Sequence, residues 1–232
     1  MRQFSDAHLA ALGLLALAAG ALVWVARRHP GHWIAVTAPA LALVILAGWV
    51  GEYVTEVVRG TWTPEYNLPL QLTDVVSVVA VLALWTRRAV LVELVYFWSL
   101  TATLQAVITP DLGQSFPSVY YFTYFTYHVG AIVAACFLVF GCRLYPRPRA
   151  YWRVFALTLA FAAVAGIGDL LTGGNYMYLR DKPSHNSLLN LMGPWPWYIV
   201  LTAALGLVLL LGLQGLADWL RNRAPAVGPR LT

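Results

Sequence analysis

Seven apolar runs, at about 8–26, 33–58, 69–86, 89–108, 118–142, 154–172 and 196–219, divide the 232 residues of the chain. Each approaches the roughly 20 residues that an α-helix needs to cross the hydrocarbon core of a bilayer. In lipid an open strand could not satisfy its backbone, so every run is expected to be helical. The fold class that follows is all-α: a polytopic membrane protein of seven transmembrane helices, forming a single domain over residues 1–232. Composition excludes the alternatives. With 60% hydrophobic and 11% charged residues the chain is too apolar for a soluble domain or a disordered one. No glycine repeat suggests collagen, and two cysteines are too few for a disulfide framework. Ten Trp suit a chain with two membrane interfaces. No linker or internal repeat interrupts the series.

The net charge of +5 comes from 14 Arg and one Lys against ten acids. In a soluble protein that balance would raise nucleic acid as a partner; here the positions matter more, and no nucleic-acid partner is expected. Counted by alternate sides of the bundle, eleven Arg (27, 28, 87, 88, 143, 147, 149, 153, 221, 223 and 230) fall on one side and four Lys or Arg (2, 59, 180 and 182) on the other. The excess predicts the N-terminus outside and the C-terminus inside, in the plasma (cytoplasmic) membrane. Arg27 and Arg28 follow the first run and only Arg2 precedes it, the reverse of a signal peptide, so this run is expected to be a retained helix. Cys136 and Cys142 lie six apart on one helix and face different ways, which predicts neither a disulfide nor a metal clip. No Walker loop, dinucleotide fingerprint or haem-attachment spacing appears, and no cofactor is expected.

Asn67-Leu68-Pro69 reads as an N-cap with a first-turn proline opening helix 3, and Ser115-Phe116-Pro117 opens helix 5 in the same way. Thr109 to Gly113 reads as a turn closing helix 4. The segment from Gly173 to Pro196 holds Asn175, Tyr176, Tyr178, Arg180 and a Gly-Pro-Trp-Pro-Trp run, and is expected to fold over the outer mouth of the bundle. Tyr120, Tyr121 and Trp195 to Tyr198 read as an interfacial belt.

Ionisable residues within a span are costly and point to function. Glu52, Glu56, Asp74, His128 and Asp169 are such residues, with Gln71, Thr73, Gln105 and Tyr124 as neutral neighbours. Glu93 lies close to Arg87 and Arg88 and is expected to pair at the inner surface. At 1.5 Å rise per residue, Thr73 stands about 21 Å from Arg87, His128 about 22 Å from Arg143, Asp169 about 24 Å from Arg153 and Gln105 about 26 Å from Arg88. Four helices thus place polar groups in one layer of the outer membrane half, and Glu52 approaches it from helix 2. Each residue also has a plain structural reading: a lone Thr bonds its own helix, and a lone His packs against a Tyr. A hydroxyl nucleophile needs a base, and the base an orienting group. Thr73, His128 and either Asp74 or Asp169 supply those types, with Gln71, Gln105 or a Tyr as oxyanion donors. Intramembrane zinc would need about three His or Cys ligands, and one His lies in the layer.

Several stretches then resemble a known family. Leu68-Pro-Leu-Gln-Leu-Thr-Asp74, Tyr96-Phe97-Trp98 with Leu104-Gln105 and Thr109-Pro-Asp111, His128-Val-Gly130, Gly168-Asp169-Leu170, Asn175 through Arg180 with Lys182-Pro183, and Leu189 through Tyr198 are similar to the signatures of YwaF-type integral membrane proteins. That family is related to a eukaryotic transmembrane acyltransferase acting on ether phospholipids. The resemblance covers roughly residues 45 to 200. It implies a nucleophile at Thr73 and a catalytic His at His128; the commoner pattern has His and Cys where Gln71 and Thr73 stand. A Thr/His pair in a comparable bundle also resembles the androgen-induced intramembrane hydrolases of branched fatty-acid esters.

Two functions follow as expectations. The first is an intramembrane lipid acyl hydrolase or acyltransferase with catalytic Thr73, His128 and Asp74, its substrate held by Glu52, Gln71, Gln105, Tyr124, Asp169, Asn175, Tyr176, Tyr178 and Arg180, and membrane lipids as substrate or ligand. The second is a non-enzymatic transporter or binding protein for a small polar or lipid ligand, in which the acids dominate. The first requires Thr73 and His128 on neighbouring helices, within hydrogen-bond reach or one water apart. The sequence leaves the acyl donor, the acceptor and the oligomeric state open.

Overall fold

The computed structural model describes residues 1–183 and 187–223; Arg230 of the basic count lies outside them. The described residues form helices and loops without strands. Seven principal helices follow one another: α1 (Asp6–Arg28), α2 (Trp33–Arg59), α3 (Leu72–Thr86), α4 (Ala89–Ile108), α5 (Val119–Gly141), α6 (Ala150–Thr172) and α7 (Trp197–Arg223). All but α3 are long and apolar enough to cross a membrane, and α3 is a shorter apolar helix of 15 residues.

Two helix starts differ from expectation. The α3 helix begins at Leu72 with Gln71 as N-cap, three residues after Pro69. The Asn67 side chain accepts the Thr63 N–H at 2.8 Å and closes a turn in the preceding loop instead of capping the helix. In α5 the cap is Ser118, whose hydroxyl accepts the Tyr120 N–H; Ser115 belongs to the turn before it. In both places Asx or Ser chemistry was legible, but it serves a local turn as readily as a cap. Two C-terminal ends are conventional. Gly60 and Gly173 end α2 and α6 at positive φ, a conformation free of Cβ strain only for glycine.

The α5 helix is the hub, packed against α1, α2, α3 and α4. Its approach to α2 is close because small residues meet there. A Cβ on Gly130 would stand 2.6 Å from Ile45 Cγ1, and one on Gly48 would stand 2.8 Å from Thr126 Cγ2. Without a hydrophobic drive between helices in lipid, such close backbone approach is a main source of association. Tyr120 and Tyr121 belong to this interior and not to an interfacial belt: both are buried, and the Tyr121 hydroxyl donates to the Ala7 carbonyl at 2.6 Å. Tyr198 is likewise buried, while Trp195 and Trp197 are exposed as a belt requires.

The arginine-rich ends of the helices gather at one end of the bundle and are tied together. Glu93, 1% exposed, pairs with Arg147 at 2.7 Å and with Arg153 at 3.0 Å. These are not the Arg87 and Arg88 partners expected from chain proximity: Arg87 caps the end of α3 and Arg88 the start of α4, while the loop before α6 folds back over Glu93 and supplies Arg147. The pairing lifts the already high pKa of the Arg147 guanidinium further. Gln214 of α7 donates to the Arg147 carbonyl, and Arg27 of α1 donates to the Phe140 carbonyl. This end is closed. The opposite end opens into a cavity.

Candidate functional site

The α4 helix departs from regular winding beside the cavity. Ser99–Thr103 is wound as a π-helix, a feature that recurs at functional sites because it redirects side chains. Thr101 and Ala102 in this segment line a cavity of about 770 Å³. Its polar wall comes from α2 (Glu52, Tyr53 and Glu56), the first turn of α3 (Thr73 and Asp74) and α5 (Tyr124, Tyr127 and His128). Its apolar wall comes from α6 and α7, including Phe155, Leu159, Ala203 and Leu209.

His128 is 2% exposed and held between two rings, with the Tyr124 centroid at 4.0 Å and the Tyr127 centroid at 4.3 Å. Its Nδ1 lies 2.9 Å from the Tyr124 carbonyl oxygen. A carbonyl only accepts, so Nδ1 carries the proton. The lone pair of the neutral ring is then on Nε2. Tyr124 is fixed in turn by donating its hydroxyl to the Ala106 carbonyl of α4 at 2.8 Å. The group that orients His128 is therefore a backbone carbonyl one turn away, not Asp74 or Asp169.

Thr73 and His128 line the same cavity from neighbouring helices. No hydrogen bond joins them among the described residues, and the Thr73 carbonyl accepts the Ser77 hydroxyl at 2.9 Å. Asp74, also in the wall, is 8% exposed and turned towards the Gln71 backbone N–H and the Trp49 indole. The Trp49 Nε1 is buried and does not reach hydrogen-bond geometry. Gln71 spans two tasks. Its Oε1 accepts the Met177 N–H at 2.9 Å, which fixes the amide and leaves its NH₂ as a donor in the cavity wall. Glu52 accepts a hydrogen bond from the Thr123 hydroxyl. Gln105 is at the exposed rim, its Nε2 donating to Thr109 Oγ1 at 2.8 Å.

The segment after α6 folds back onto this mouth, but only some of its expected residues face the cavity. Tyr178 does: it lines the wall and donates to Asp111 at 2.6 Å. Burial, reinforced by the Asp111 carboxylate, pushes its phenol pKa well above the ordinary range, so the donor persists through the physiological range. Asp169, Asn175, Tyr176 and Arg180 are absent from the wall. Asp169, 1% exposed, accepts the Tyr176 N–H at 2.6 Å. The Tyr176 hydroxyl donates to the Pro64 carbonyl at 2.7 Å and accepts the Leu68 N–H at 2.8 Å. Asn175 Oδ1 accepts the N–H groups of Arg180 and Asp181, and Arg180 donates to the Gly174 carbonyl. These four build the loop that carries Met177 and Tyr178. Met177 and Tyr178 both sit at φ 54°, a costly conformation for residues with a Cβ, fixed by the loop's bonds to α3 and α6.

Tyr127, one of the tyrosine ladder Tyr120, Tyr121, Tyr124 and Tyr127 that the sequence sets beside the ionisable residues, lines the wall, and so does Tyr53, which the polar inventory left out. Tyr53 adjoins Glu52, and a phenol inside an apolar span was the available signal. The apolar wall of α6 and α7 carried none, since nothing distinguishes a cavity-facing Leu from a lipid-facing one. Among the described residues no group of three or more His, Cys, Asp and Glu side chains is arranged to hold a metal.

A bundle of long apolar helices around a polar cavity defines a multi-pass helical membrane protein. The chain belongs to the TMEM164 family, whose family model matches residues 3–214. No curated protein and no solved structure matches the chain.

Proposed function

We propose that the protein is an intramembrane lipid acyl hydrolase or acyltransferase of the YwaF-type branch, with all seven helices spanning the plasma membrane in one domain, N-terminus outside. The observation that carries this reading is the presence, in the wall of one cavity, of Thr73 and of a His128 whose Nδ1 proton is committed to a carbonyl. That tautomer leaves Nε2 as the base. In the proposed reaction Nε2 takes the Thr73 proton as Oγ1 attacks the ester carbonyl of a membrane lipid. The imidazolium then returns the proton to the departing alcohol, leaving an acyl-Thr73 ester. Water or a second lipid hydroxyl, deprotonated by the same Nε2, attacks that ester, and Thr73 regains its proton from the imidazolium. The Gln71 NH₂ and the Tyr127 hydroxyl are the donors in the wall for the tetrahedral oxyanion. Asp74 supports the site as a carboxylate beside the nucleophile; it does not orient the base.

The test is turnover of lipid esters by the purified protein in detergent or bilayers. Thr73→Ala and His128→Ala are each expected to lower turnover by about 10³-fold, and the double variant to be little worse, because parts of one catalytic unit are not additive. Thr73→Cys is expected to keep activity and gain sensitivity to thiol reagents. Ester turnover that survives Thr73→Ala refutes the nucleophile assignment. A protein that turns over no ester but moves a polar solute across vesicles, with the acids dominating, is a carrier.

A further inference from the structure

The charges of the cavity are one-sided in a chain that is net positive. Its lining holds Glu52, Glu56, Asp74 and Asp111, the last accepting from Tyr178, and, among the described residues, neither Lys nor Arg. Glu52, Glu56 and Asp74 are in no ion pair among the described residues. Glu52 accepts from the Thr123 hydroxyl and Glu56 from the Thr61 hydroxyl, both of them neutral donors. Even Arg59, three residues on from Glu56, turns away, with its guanidinium 5.1 Å from the centre of the Tyr120 ring. In a low-dielectric surrounding, uncompensated carboxylates attract a cation far more strongly than they would in water.

A second observation points the same way. Tyr127 is 6% exposed, lines the cavity beside Glu52, Asp74 and Tyr53, and its hydroxyl has no hydrogen-bond partner among the described residues. Tyr53 and Tyr124 add two further ring systems to the same wall. Carboxylates interleaved with aromatic rings are the surroundings in which ammonium groups are recognised, through charge and through the ring quadrupole. Across from them runs the apolar wall of Phe155, Leu159, Ala203 and Leu209, suited to a hydrocarbon chain.

We propose that the polar half of the cavity binds an ammonium group, carried by an amphiphile whose tail lies along α6 and α7. The inference rests on the cavity being the seat of lipid chemistry, and it adds the charge of the lipid's headgroup.

Titration calorimetry on the protein in a neutral maltoside detergent tests it with three probes: dodecyltrimethylammonium, tetramethylammonium, and dodecyl phosphate with the same tail and the opposite charge. Saturable binding is expected for dodecyltrimethylammonium, at least tenfold weaker binding for tetramethylammonium, and none for dodecyl phosphate. The variant Glu52→Gln with Glu56→Gln should weaken the first by about tenfold, two partly exposed charge contacts at up to about fivefold each. Glutamine keeps the oxygen that accepts from Thr123 or Thr61, and a thermal midpoint near that of the unmodified protein checks folding. Equal binding of dodecyl phosphate, or an unchanged affinity in the folded double Gln variant, overturns the proposal. Tetramethylammonium binding as tightly as the amphiphile overturns it for a lipid and assigns a small free cation. Ester turnover that depends on Thr73 but ignores headgroup charge sinks the ammonium site alone. Charge-dependent binding with no turnover sinks the acyl chemistry alone.

Discussion

Replacing Gly130 by alanine tests whether the α2–α5 contact sets the geometry of the His128 wall. The added Cβ would meet Ile45 Cγ1 at 2.6 Å. Carbons in contact sit about 3.5–4.0 Å apart, so the overlap is roughly 1 Å. Ile45 is fully buried and has no free direction in which to retreat. Overpacking of this kind costs about 1–3 kcal/mol. Ile45→Ala alone empties a core site, at about 2–5 kcal/mol. In the double variant the new methyl group enters the vacated space, so its loss should fall short of the sum by about 1 kcal/mol or more, within the range of coupling between residues in contact. Equilibrium unfolding in mild detergent, followed by tryptophan fluorescence, measures the three differences. Because Gly130 lies two residues beyond His128 on α5, Gly130→Ala should also lower ester turnover, with partial recovery in the double variant. A neutral Gly130→Ala, or strict additivity with Ile45→Ala, would refute the packing argument.

Asp169→Ala removes the acceptor of the buried Tyr176 N–H and should destabilise by about 1.5–3 kcal/mol, the range for hydrogen bonds to charged groups, whereas Asp169→Asn keeps an acceptor and should lose less than half as much; equal thermal midpoints for the two variants would contradict the latch. Tyr178→Phe loses the bond to Asp111 and is expected to cost about 1 kcal/mol and to speed limited proteolysis between residues 173 and 183; unchanged cleavage would show that the tether does not hold the loop. Glu93→Gln leaves Arg147 and Arg153 without their carboxylate, and because both guanidinium groups still reach water the loss should stay near about 1–3 kcal/mol, below that of a fully buried pair. A larger loss would mean the cluster is drier than its arginines indicate.

The helices were legible because lipid leaves the backbone no alternative: run length alone placed six long helices and most of their ends to within a few residues. The short α3 was placed too early because Pro69 looks the same in a pre-helix turn as at a first helical position. Counting rise from the arginines brought Thr73, His128 and Gln105 to one cavity. It included Asp169 wrongly, since height along a helix says nothing of rotation, and Asp169 faces the Tyr176 backbone. The loop residues Asn175, Tyr176 and Arg180 were noticed for their chemistry, yet that chemistry is spent on the backbone groups of their own and adjoining loops. The partner of Glu93 was unreadable for a related reason: which of several arginines folds over a buried acid depends on the path of a loop.

The orientation of His128 by a carbonyl has a consequence for how a base could operate within a membrane. A carboxylate on Nδ1 would stabilise the imidazolium formed during attack, but in the resting state it would add a buried charge with no countercharge, at a cost of several kcal/mol. A backbone carbonyl fixes the same tautomer without that charge, since its partial negative end is already part of α5. The imidazolium would then draw its stabilisation from groups across the cavity, where Glu52 and Asp74 share the wall with His128. In the proposed mechanism those carboxylates meet two positive charges: the ammonium of the ligand and the transient imidazolium. A ligand whose ammonium sits against Glu52 and Glu56 neutralises the outer acids and leaves Asp74, beside the nucleophile, as the carboxylate available to His128. Ligand charge and base strength are thereby linked through one set of acids, so Glu52→Gln should alter the choice of headgroup, whereas Asp74→Asn should alter the rate of the acyl step for every headgroup alike.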